Sequence, residues 1–360
     1  MSGLASRLIG RHAGLWQNDP WYRLAWVVWP QTASLLLAGW IMITPPATRE
    51  ASAPWAKPLD VAALGNQIDA LRDQAETDPK ALQRLQKLAN GGDAMAEFAF
   101  ATLYDPDLKL GKLTAPDINT ANAWYQKAAE QGHSVAQQNL GVKFYEGRWI
   151  PVDFAAALFW LKKAAAQGNP MGERIMGLAN EEGHGVPINQ TFALQWFKRA
   201  ADHGDVIGEI RIGDAYWFGK GFAKSEPEAL NWYRKAAAQG NAYAQMKIGE
   251  AYLNGIGVER NLEQAFVFFQ QGANNGNAWA QFYLGAMYDQ GLATPIDPVQ
   301  AFQWFIKGAE NGNAEAQNAV GVDYAKGRGT NRNVAAARAW LEKAQENGNA
   351  AAARNLRALR

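Results

Sequence analysis

The sequence predicts an all-α fold, an α-solenoid in which helix–turn–helix units repeat every 36 residues, with one transmembrane helix added near the N-terminus. Three observations support this prediction. The phrase WYRKAAAQGN at 232–241 is nearly repeated as WLKKAAAQGN at 160–169. Glycine recurs at a step of 36 residues, and an uncharged apolar segment precedes the repeats. A fixed period between about 20 and 50 residues is the mark of stacked repeats.

The period is carried by one glycine series and one aromatic series. The glycines are Gly132, Gly168, Gly204, Gly240, Gly276, Gly312 and Gly348. The aromatic residues are Trp124, Trp160, Trp196, Trp232, Phe268, Trp304 and Trp340. Because each repeat of such an array contacts only its neighbours, the chain is expected to form one elongated array and not several globular domains.

The composition excludes several classes of function. Hydrophobic residues make up 48% of the 360 residues and charged residues 19%, which excludes a wholly disordered chain. The formal net charge of +1 provides no field that attracts a polyanion, so nucleic acid is not an expected partner. The chain contains no cysteine, so disulfides, thiolate zinc sites and a cysteine nucleophile are absent.

The segment 24–44 predicts a transmembrane helix. It contains 21 residues without a charge, and as a helix it reaches roughly 31 Å, about the thickness of a hydrocarbon core. The preceding tail, 1–23, carries Arg7, Arg11 and Arg23. The positive-inside rule therefore places this tail in the cytoplasm and the repeats on the other side of the membrane.

Residues 45–58 hold four prolines and predict a semi-extended linker between the membrane and the repeats. A cleaved signal peptide is the alternative interpretation of the apolar segment, since Ala51, Ser52 and Ala53 resemble a cleavage site. However, Pro54 would follow the cut, and the apolar segment exceeds the usual 7 to 15 residues of a signal sequence. We therefore expect an uncleaved anchor.

Each repeat is predicted to hold two helices, A and B. In residues 241–276, apolar residues recur at helical spacing on both sides of Gly255. Helix B begins after a residue whose short side chain can accept a hydrogen bond from the first turn. These residues are Asp117, Asp153, Asn189, Ser225, Asn261, Asp297 and Asn333. Ser225 with Glu228 further predicts a capping box.

The end of helix B is predicted by a cation in its last turn, then by the periodic glycine in a left-handed conformation. The cations are Lys127, Lys163, Arg199, Lys235, Lys307 and Lys343, and Gln271 stands at this position in the remaining repeat. An asparagine or aspartate follows the glycine and can cap the next helix A. These residues are Asn169, Asp205, Asn241, Asn277, Asn313 and Asn349.

A second glycine series lies inside helix A, where each glycine costs roughly 1 kcal/mol relative to alanine. These glycines are Gly141, Gly177, Gly213, Gly249, Gly285 and Gly321. We expect them to allow close approach of helix B, with the periodic tryptophan or phenylalanine ring covering the gap. An alanine series in helix B, represented by Ala265, is expected to help the two helices approach each other closely.

Helix pairs with an A-x-x-x-L-G-x-x-Y-x-x-G-x-G-V core and a W-[YF]-x-K-A-A-x-x-G-[ND] ending resemble the Sel-one-like repeats, relatives of the tetratricopeptide repeats. The resemblance covers a degenerate leading repeat at 59–92, seven repeats at 93–349 and a C-terminal capping helix at 350–360. In repeat three, Asn180 departs from the pattern by replacing the usual aromatic residue, which puts the packing of this repeat in doubt.

The resemblance implies a superhelical α-solenoid that assembles other proteins. Bacterial relatives are often exported or tethered to a membrane, and serve in envelope assembly, exopolysaccharide control, signalling or host interaction. With the topology predicted above, the expected location is the bacterial inner membrane, with a single span and with the repeats on the periplasmic side.

Little in the sequence points to catalysis. The four histidines are His12, His133, His184 and His203, and they form no H-E-x-x-H motif, so no metal or cofactor is expected. Beside Glu181 and Glu182, His184 could act as an acid or base, but we expect a solvated turn without a nucleophile. The chain is therefore predicted not to be an enzyme.

Helix A carries a stripe of residues at i, i+3, i+4, i+7 spacing whose identity changes freely between repeats four, five and six. The predicted partner-binding residues in this stripe are Ile207, Ile210, Trp217, Phe218, Tyr243, Met246, Leu253, Trp279, Phe282 and Tyr283. Tryptophan and tyrosine often supply the binding energy of an interface. The alternative is that these side chains simply pack against neighbouring repeats, as aromatic residues at helical spacing usually do.

The leading hypothesis is therefore a membrane-anchored, non-enzymatic scaffold that captures a protein or peptide along its concave face. One alternative is a module that binds cell-wall glycan or peptide, in which Trp217, Tyr243 and Trp279 stack on sugar rings. The other alternative is a hydrolase, because cysteine-rich relatives have been associated with penicillin binding or hydrolysis, although this chain lacks their cysteines.

Overall fold

The computed structural model describes residues 61–108 and 110–359, and all regular secondary structure within those two ranges is helical. The predicted tail, transmembrane helix and linker, 1–23, 24–44 and 45–58, lie outside the described residues. The helices are α1 (Val61–Ala75), α2 (Pro79–Asn90), α3 (Ala94–Tyr104), α4 (Ile118–Glu130), α5 (Ser134–Glu146), α6 (Phe154–Ala166), α7 (Pro170–Glu182), α8 (Gln190–Asp202), α9 (Val206–Phe218), α10 (Glu226–Ala238), α11 (Ala242–Asn254), α12 (Leu262–Asn274), α13 (Ala278–Gln290), α14 (Pro298–Glu310), α15 (Ala314–Lys326), α16 (Val334–Glu346) and α17 (Ala352–Ala358). The prediction of an all-α chain is confirmed for this part of the sequence.

The described residues form two compact units, one of 61–88 with 99–121 and the other of 89–98 with 122–359. In the first unit, the hydroxyl of Thr114 donates a hydrogen bond of 2.6 Å to the carbonyl of Leu103. The second unit contains repeats two to seven. Within the described ranges, every helix is too short or too polar to cross a lipid bilayer.

In repeats two to seven, helices A and B each contain 13 residues. Each A helix packs most extensively against the B helix of its own repeat, and each B helix then packs against the A helix that follows. This uninterrupted order of contacts is that of a solenoid, in which a hairpin too small to bury its own apolar side stacks on the next. The predicted solenoid of helix–turn–helix repeats is confirmed.

The predicted caps are confirmed, with two exceptions, Ser225 and Asn349, since α17 has Ala351 as its N-cap. Asn241 accepts from the N–H of Ala244 at the start of α11, and the corresponding residues cap the other A helices. Ser225, however, makes no side-chain hydrogen bond to the first turn of α10, so the predicted capping box is wrong. Beside Ser225, Lys224 holds Glu226 in an ion pair of 2.8 Å.

The periodic glycines after helix B are left-handed, as predicted, with φ between 74° at Gly168 and 94° at Gly132. A left-handed glycine also ends each A helix of repeats two to seven, for example Gly255 at φ 70°. Glycine adopts this conformation without the steric penalty of other residues, so both turns of every hairpin are fixed locally.

The glycines inside helix A do bring the two helices close together, but the covering residue differs from the prediction. A methyl group on Gly249 would lie 2.7 Å from Cδ1 of Phe269, not against the periodic Phe268. The covering residue is always the one after the periodic aromatic residue. These covering residues are Leu161, Phe197, Tyr233, Phe269, Phe305 and Leu341. The backbone carbonyl of the alanine series, as at Ala301, approaches the same glycines.

The periodic tryptophan has a different role, since it pairs with the cation three residues later on helix B. The Nζ atom lies 3.6 Å from the ring centroid for Lys127 and Trp124, and 3.7 Å for Lys235 and Trp232. The repeat with Gln271 in place of the cation also has phenylalanine in place of tryptophan. The predicted interaction with the helix dipole is therefore accompanied by a cation–π contact.

A polar ladder joins neighbouring repeats. The side-chain N–H of Gln167 donates to the carbonyl of Gly132 at 3.0 Å and to Oε1 of Gln137 at 2.9 Å. Corresponding amide pairs are Asn275 with Gln245, Asn311 with Gln281, and Asn347 with Gln317. The glutamines of the A helices are buried, so these hydrogen bonds avoid the cost of leaving their side-chain oxygens unsatisfied.

Repeat three replaces the amide pair of this ladder with charged groups. Glu173, which is fully buried, accepts from Nε of Arg199 at 2.9 Å and contacts Nδ1 of His203 at 2.7 Å. Asn180 in the same repeat is buried, and its side-chain amide donates to the carbonyl of Met176 at 2.8 Å. The buried amide is thus satisfied within its own helix.

Candidate functional site

Three of the predicted partner-binding residues belong to the core. The exposed fraction is 6% for Ile210, 8% for Trp217 and 1% for Met246. Ile210 and Trp217 pack in one cluster with the buried Tyr233 of helix α10. These three side chains therefore lie in the core, as the packing alternative expects.

The other seven predicted residues are at least partly exposed, and we name them together the A-helix face. Phe218 at the end of α9 is exposed, at 37%, and the other six are partly buried. The A-helix face consists of Ile207, Phe218, Tyr243, Leu253, Trp279, Phe282 and Tyr283. They lie on the A helices of three consecutive repeats, and the structure leaves their binding role a prediction.

Repeats four and five are joined at this face by a carboxylate. Oδ1 of Asp214 on α9 accepts from the hydroxyl of Tyr243 at 2.9 Å and from the hydroxyl of Tyr233 at 2.6 Å. The ring centroids of the two tyrosines are 6.2 Å apart, with the edge of one directed at the other. Tyr243 is therefore held in one orientation by the preceding repeat.

A buried lysine makes the second connection between the same repeats. Nζ of Lys247 lies 4.3 Å from the ring centroid of Trp217 and 5.6 Å from that of Phe218. The same Nζ forms an ion pair of 2.8 Å with Glu250. An ammonium group so far removed from water requires such partners. Lys247 thus packs against the two aromatic side chains at the end of α9 through cation–π contacts.

The A helix of repeat six carries three adjoining aromatic side chains. The ring centroid of Tyr283 lies 6.1 Å from that of Trp279 and 5.7 Å from that of Phe282. Tyr283 also stacks on Phe269 of the preceding repeat at 4.7 Å, while Phe282 lies 5.8 Å from Phe305. The rings are therefore fixed by contacts on both sides.

Two carboxylates lie near this aromatic group. Burial raises the pKa of Tyr283 well above its ordinary value, and the negative charges of Glu250 and Glu315 raise it further. Glu315 was not among the predicted residues, although a step of 36 from Trp279 leads directly to it. The repeat period therefore indicates this position, one repeat beyond the stripe of repeats four to six.

His184 lies in the turn after α7, and its side chain, 37% exposed, also packs on the preceding repeat. The imidazole stacks on Phe154 with ring centroids 4.7 Å apart, and its Nδ1 lies 2.8 Å from the hydroxyl of Tyr145. Glu182 is 3.3 Å from the same nitrogen. Burial, followed by the charges of Glu182 and Glu181, raises the pKa of the Tyr145 hydroxyl. The cluster thus packs repeats two and three together.

Metal binding has no candidate centre in this part of the molecule. Across the described ranges, histidine, aspartate and glutamate side chains form no group of three with the arrangement of a metal site. The candidate functional site is therefore the A-helix face, which contains the partly exposed aromatic side chains.

Stacked hairpins of two short helices, with glycine turns at a fixed period, define an α-helical repeat protein. A profile of the Sel1 repeat matches the chain seven times. The matched residues are 108–133, 134–169, 170–205, 206–241, 242–277, 280–313 and 314–349. The chain belongs to the Sel1 repeat family, whose members are typically non-catalytic scaffolds for protein–protein interactions.

Solved structures agree with this assignment. A protective antigen of uropathogenic Escherichia coli strains, which displays an SLR fold, is 34% identical, with a TM-score of 0.72 and coverage of 83% of this chain and 64% of that protein. The chain thus spans just under two thirds of that antigen. A Sel1 repeat protein from Oxalobacter formigenes is 30% identical, with a TM-score of 0.62 and coverage of 82% and 86%. A search of curated proteins gave no significant match.

Proposed function

We propose that this Sel1 repeat protein is a membrane-anchored, non-enzymatic scaffold that binds an extended segment of a partner protein along the A-helix face. The observation that carries the proposal is the continuity of this face across repeats four to six. Tyr243 is tied to Asp214 of the preceding repeat, and Tyr283 stacks on Phe269 of the preceding repeat. Side chains held in place before binding lose little conformational entropy when a partner arrives.

The dimensions of the face suit an extended segment. Adjacent packed helices lie roughly 8–10 Å apart, so three consecutive A helices extend over about 20 Å. An extended chain advances about 3.3 Å per residue, so about six residues of a partner cover this distance. The glycan alternative has less support, because Trp217 is buried and the hydroxyl of Tyr243 is already bound to Asp214.

The absence of cysteine from the chain allows a direct test by single-cysteine crosslinking. A photoactivatable thiol-reactive reagent is attached to the cysteine of the Phe218→Cys variant, on the A-helix face. The control is the Val267→Cys variant, on α12. The exposed fractions of the two native side chains are similar, 37% for Phe218 and 42% for Val267. A crosslinked protein is expected from position 218 only, and it is expected to be lost when Trp279→Ser is added. Equal crosslinking from both positions would contradict the proposal.

We further propose that segment 24–44 anchors the chain in the bacterial inner membrane, with the repeats in the periplasm and a role in envelope assembly or signalling. The support is the uncharged 21-residue segment and the arginines that precede it. A membrane-impermeant maleimide should label Val267→Cys in spheroplasts, whereas Ser2→Cys should react only after lysis. Labelling of Ser2→Cys but not of Val267→Cys in intact spheroplasts would show that the chain has the opposite topology.

A further inference from the structure

We propose that the B helices of repeats two to four form a second interaction surface, which binds a segment of a partner protein that is acidic at both ends and apolar in the middle. We name this surface the B-helix strip. It consists of three pairs of cations, Lys162 with Lys163, Lys198 with Arg199 and Arg234 with Lys235, and of the cleft beside Leu194 and Phe222. None of these residues belongs to the A-helix face, so the inference goes beyond the proposed function and does not depend on it.

Pairs of adjacent cations near the end of helix B occur in these three repeats and in none of the other four. The corresponding pairs there are Gln126 with Lys127, Gln270 with Gln271, Ile306 with Lys307 and Glu342 with Lys343. Equivalent residues of a stacked array lie side by side on neighbouring repeats. The paired cations therefore form one patch, bounded by repeats one and five.

Contacts between the B helices show that this patch is continuous. The guanidinium of Arg199 on α8 donates a hydrogen bond of 2.9 Å to the carbonyl of Ala165 on α6. Nζ of Lys198, also on α8, lies 5.1 Å from the ring centroid of Trp232 on α10. The middle pair of cations thus reaches both neighbouring B helices.

The positive charge is offset in the middle of the strip and not at its ends. Lys198 forms an ion pair of 2.6 Å with Asp202, and Arg199 forms one of 2.8 Å with the buried Glu173. In the part of the chain that the structure describes, no carboxylate lies within ion-pair distance of the four exposed cations at the ends, which are Lys162, Lys163, Arg234 and Lys235. Each end therefore presents two positive charges to a partner.

Aromatic rings orient two of the end cations without removing their charge. Nζ of Lys163 lies 4.3 Å from the ring centroid of Phe159, and Nζ of Lys235 lies 3.7 Å from that of Trp232. Phe159 is 53% exposed and adds apolar surface at the α6 end. Because a cation–π contact joins a cation to a neutral ring, an incoming carboxylate still meets the full positive charge.

An apolar cleft lies at the middle pair of cations. It has a volume of about 410 Å³, is lined by Thr191, Leu194, Phe222 and both middle cations, and is mostly apolar. Phe222 is held by stacking on Tyr216, with ring centroids 4.6 Å apart. Small-ligand sites have volumes of about 300–1,000 Å³, so the cleft can accept the side chain of a leucine or a phenylalanine.

An extended protein segment matches this order of charged and apolar groups. Neighbouring repeats place equivalent helices roughly 10 Å apart, so the cations of α6 and α10 are about 20 Å apart, which about six residues of extended chain cover. A glycan or nucleic acid with an anion on every unit would place negative charge at the cleft, where Asp202 and Glu173 already offset the cations. Charge complementarity therefore favours an acidic–apolar–acidic protein segment.

The probe is a fluorescently labelled nonapeptide with blocked termini, two aspartates at each end, leucine at the centre and serine elsewhere. Two matched peptides replace all four aspartates by asparagine, or the leucine by serine. Binding to the full-length protein in detergent is measured by fluorescence anisotropy. We expect the aspartate peptide to bind about tenfold more tightly than the asparagine peptide, with the difference shrinking as salt is raised. The peptide without leucine is expected to bind about fivefold more weakly than the parent peptide.

Three variants assign the binding to the B-helix strip. Lys162→Gln with Arg234→Gln removes one exposed cation from each end, so the preference for aspartate is expected to fall from about tenfold to about threefold. Arg338→Gln with Lys343→Gln on α16 is the matched control, because it removes two exposed cations elsewhere and should retain the tenfold preference, about the full value. Thr191→Trp fills the cleft from an exposed position and is expected to abolish the advantage of the leucine. Helical melting curves check that each variant is folded.

Several outcomes would overturn the inference. Equal binding of the aspartate and asparagine peptides, no binding of either, or an equal loss of preference in the α16 control would each do so. Tighter binding of a sulfated oligosaccharide, unaffected by Thr191→Trp, would show a site for anionic polymers instead. Trp279→Ser should leave peptide binding unchanged, and loss of binding in this variant would overturn the inference by placing the peptide on the A-helix face. Crosslinking from position 218 tests the proposed function separately, so the two can fail independently.

Discussion

Phe269 closes directly over Gly249: a methyl group on that glycine would lie 2.7 Å from Cδ1 and 2.8 Å from Cε1 of the ring. Phe269 is fully buried, whereas the periodic Phe268 beside it is only partly buried. The same relationship recurs in every repeat from two to seven, so the distance between helices A and B is set by one glycine and the residue packed against it.

This relationship predicts a compensating pair of substitutions. Gly249→Leu should strongly lower the free energy of unfolding, because overpacking alone costs about 1–3 kcal/mol and occasionally more. Phe269→Ala should cost about 3–5 kcal/mol by leaving a cavity. The double variant should be more stable than the sum of the two losses by roughly 0.5–3 kcal/mol, measured from denaturant midpoints. Strict additivity would show that the two side chains do not compete for one space.

The helical hairpins could be predicted because their signals are local. Asn241 caps α11 through its own side chain, and Gly240 turns left-handed at φ 84° because glycine does so without strain. Neither outcome depends on how the repeats are stacked. A step of 36 residues therefore transfers each assignment from one repeat to the next, with Ser225 and Asn349 as the exceptions.

The partner across the helix interface could not be predicted in the same way. Successive residues on a helix point about 100° apart, so a fixed period shows that Phe268 and Phe269 are both constrained but not which of them faces Gly249. Likewise, Met246 and Tyr243 share one side of α11, yet Met246 is 1% exposed and Tyr243 is partly exposed. This difference depends on which helices pack against each side chain, which the pattern along one helix does not show.

The buried carboxylate of Glu173 yields a second prediction. Glu173→Ala should destabilise the array by about 1–3 kcal/mol, because the hydrogen bonds to Arg199 and His203 are lost while both partners remain half exposed and can be rehydrated. The double variant Glu173→Gln with His203→Gln should recover most of this loss, since it recreates the amide pair of Gln137 and Gln167. Urea midpoints of the three proteins test the comparison. A double variant no more stable than Glu173→Ala would contradict the equivalence of the two arrangements.

Glu209 gives the stability of the array a pH dependence. The side chain is 3% exposed, and burial raises its pKa above the ordinary value of 4.5, more than the hydrogen bond from Gln239 and the charge of Lys235 lower it. Because the folded state then binds a proton more readily than the unfolded state, the contribution of Glu209 to stability falls as pH rises through the window between the unfolded and folded pKa values.

Glu209→Gln removes this loss and keeps an acceptor for Gln239. The melting temperature at pH 7 should rise by about 1–4 °C relative to the unmodified protein. The advantage should shrink as the pH is lowered toward 4.5 and below, where Glu209 is protonated in both states. Glu263→Gln on the exposed side of α12 is the control and should show no such trend. An advantage for Glu209→Gln that is constant from pH 4 to pH 7 would rule out titration of this carboxyl as its cause.

Ala293 occupies a loop position at which most repeats have glycine, and its φ of 57° is left-handed. An L-residue pays roughly 1–2 kcal/mol for this conformation, part of which is offset because glycine gives the unfolded chain more freedom. Ala293→Gly should therefore stabilise the array by up to about 1 kcal/mol. Gly257→Ala should have the opposite sign, because Gly257 has φ 70° and an added methyl group would lie 2.7 Å from Cβ of Glu226 in the preceding repeat. Urea midpoints measure both changes, provided that the variants and the unmodified protein have equal m-values. A loss of stability in Ala293→Gly would show that strain at this loop does not limit the stability of the array.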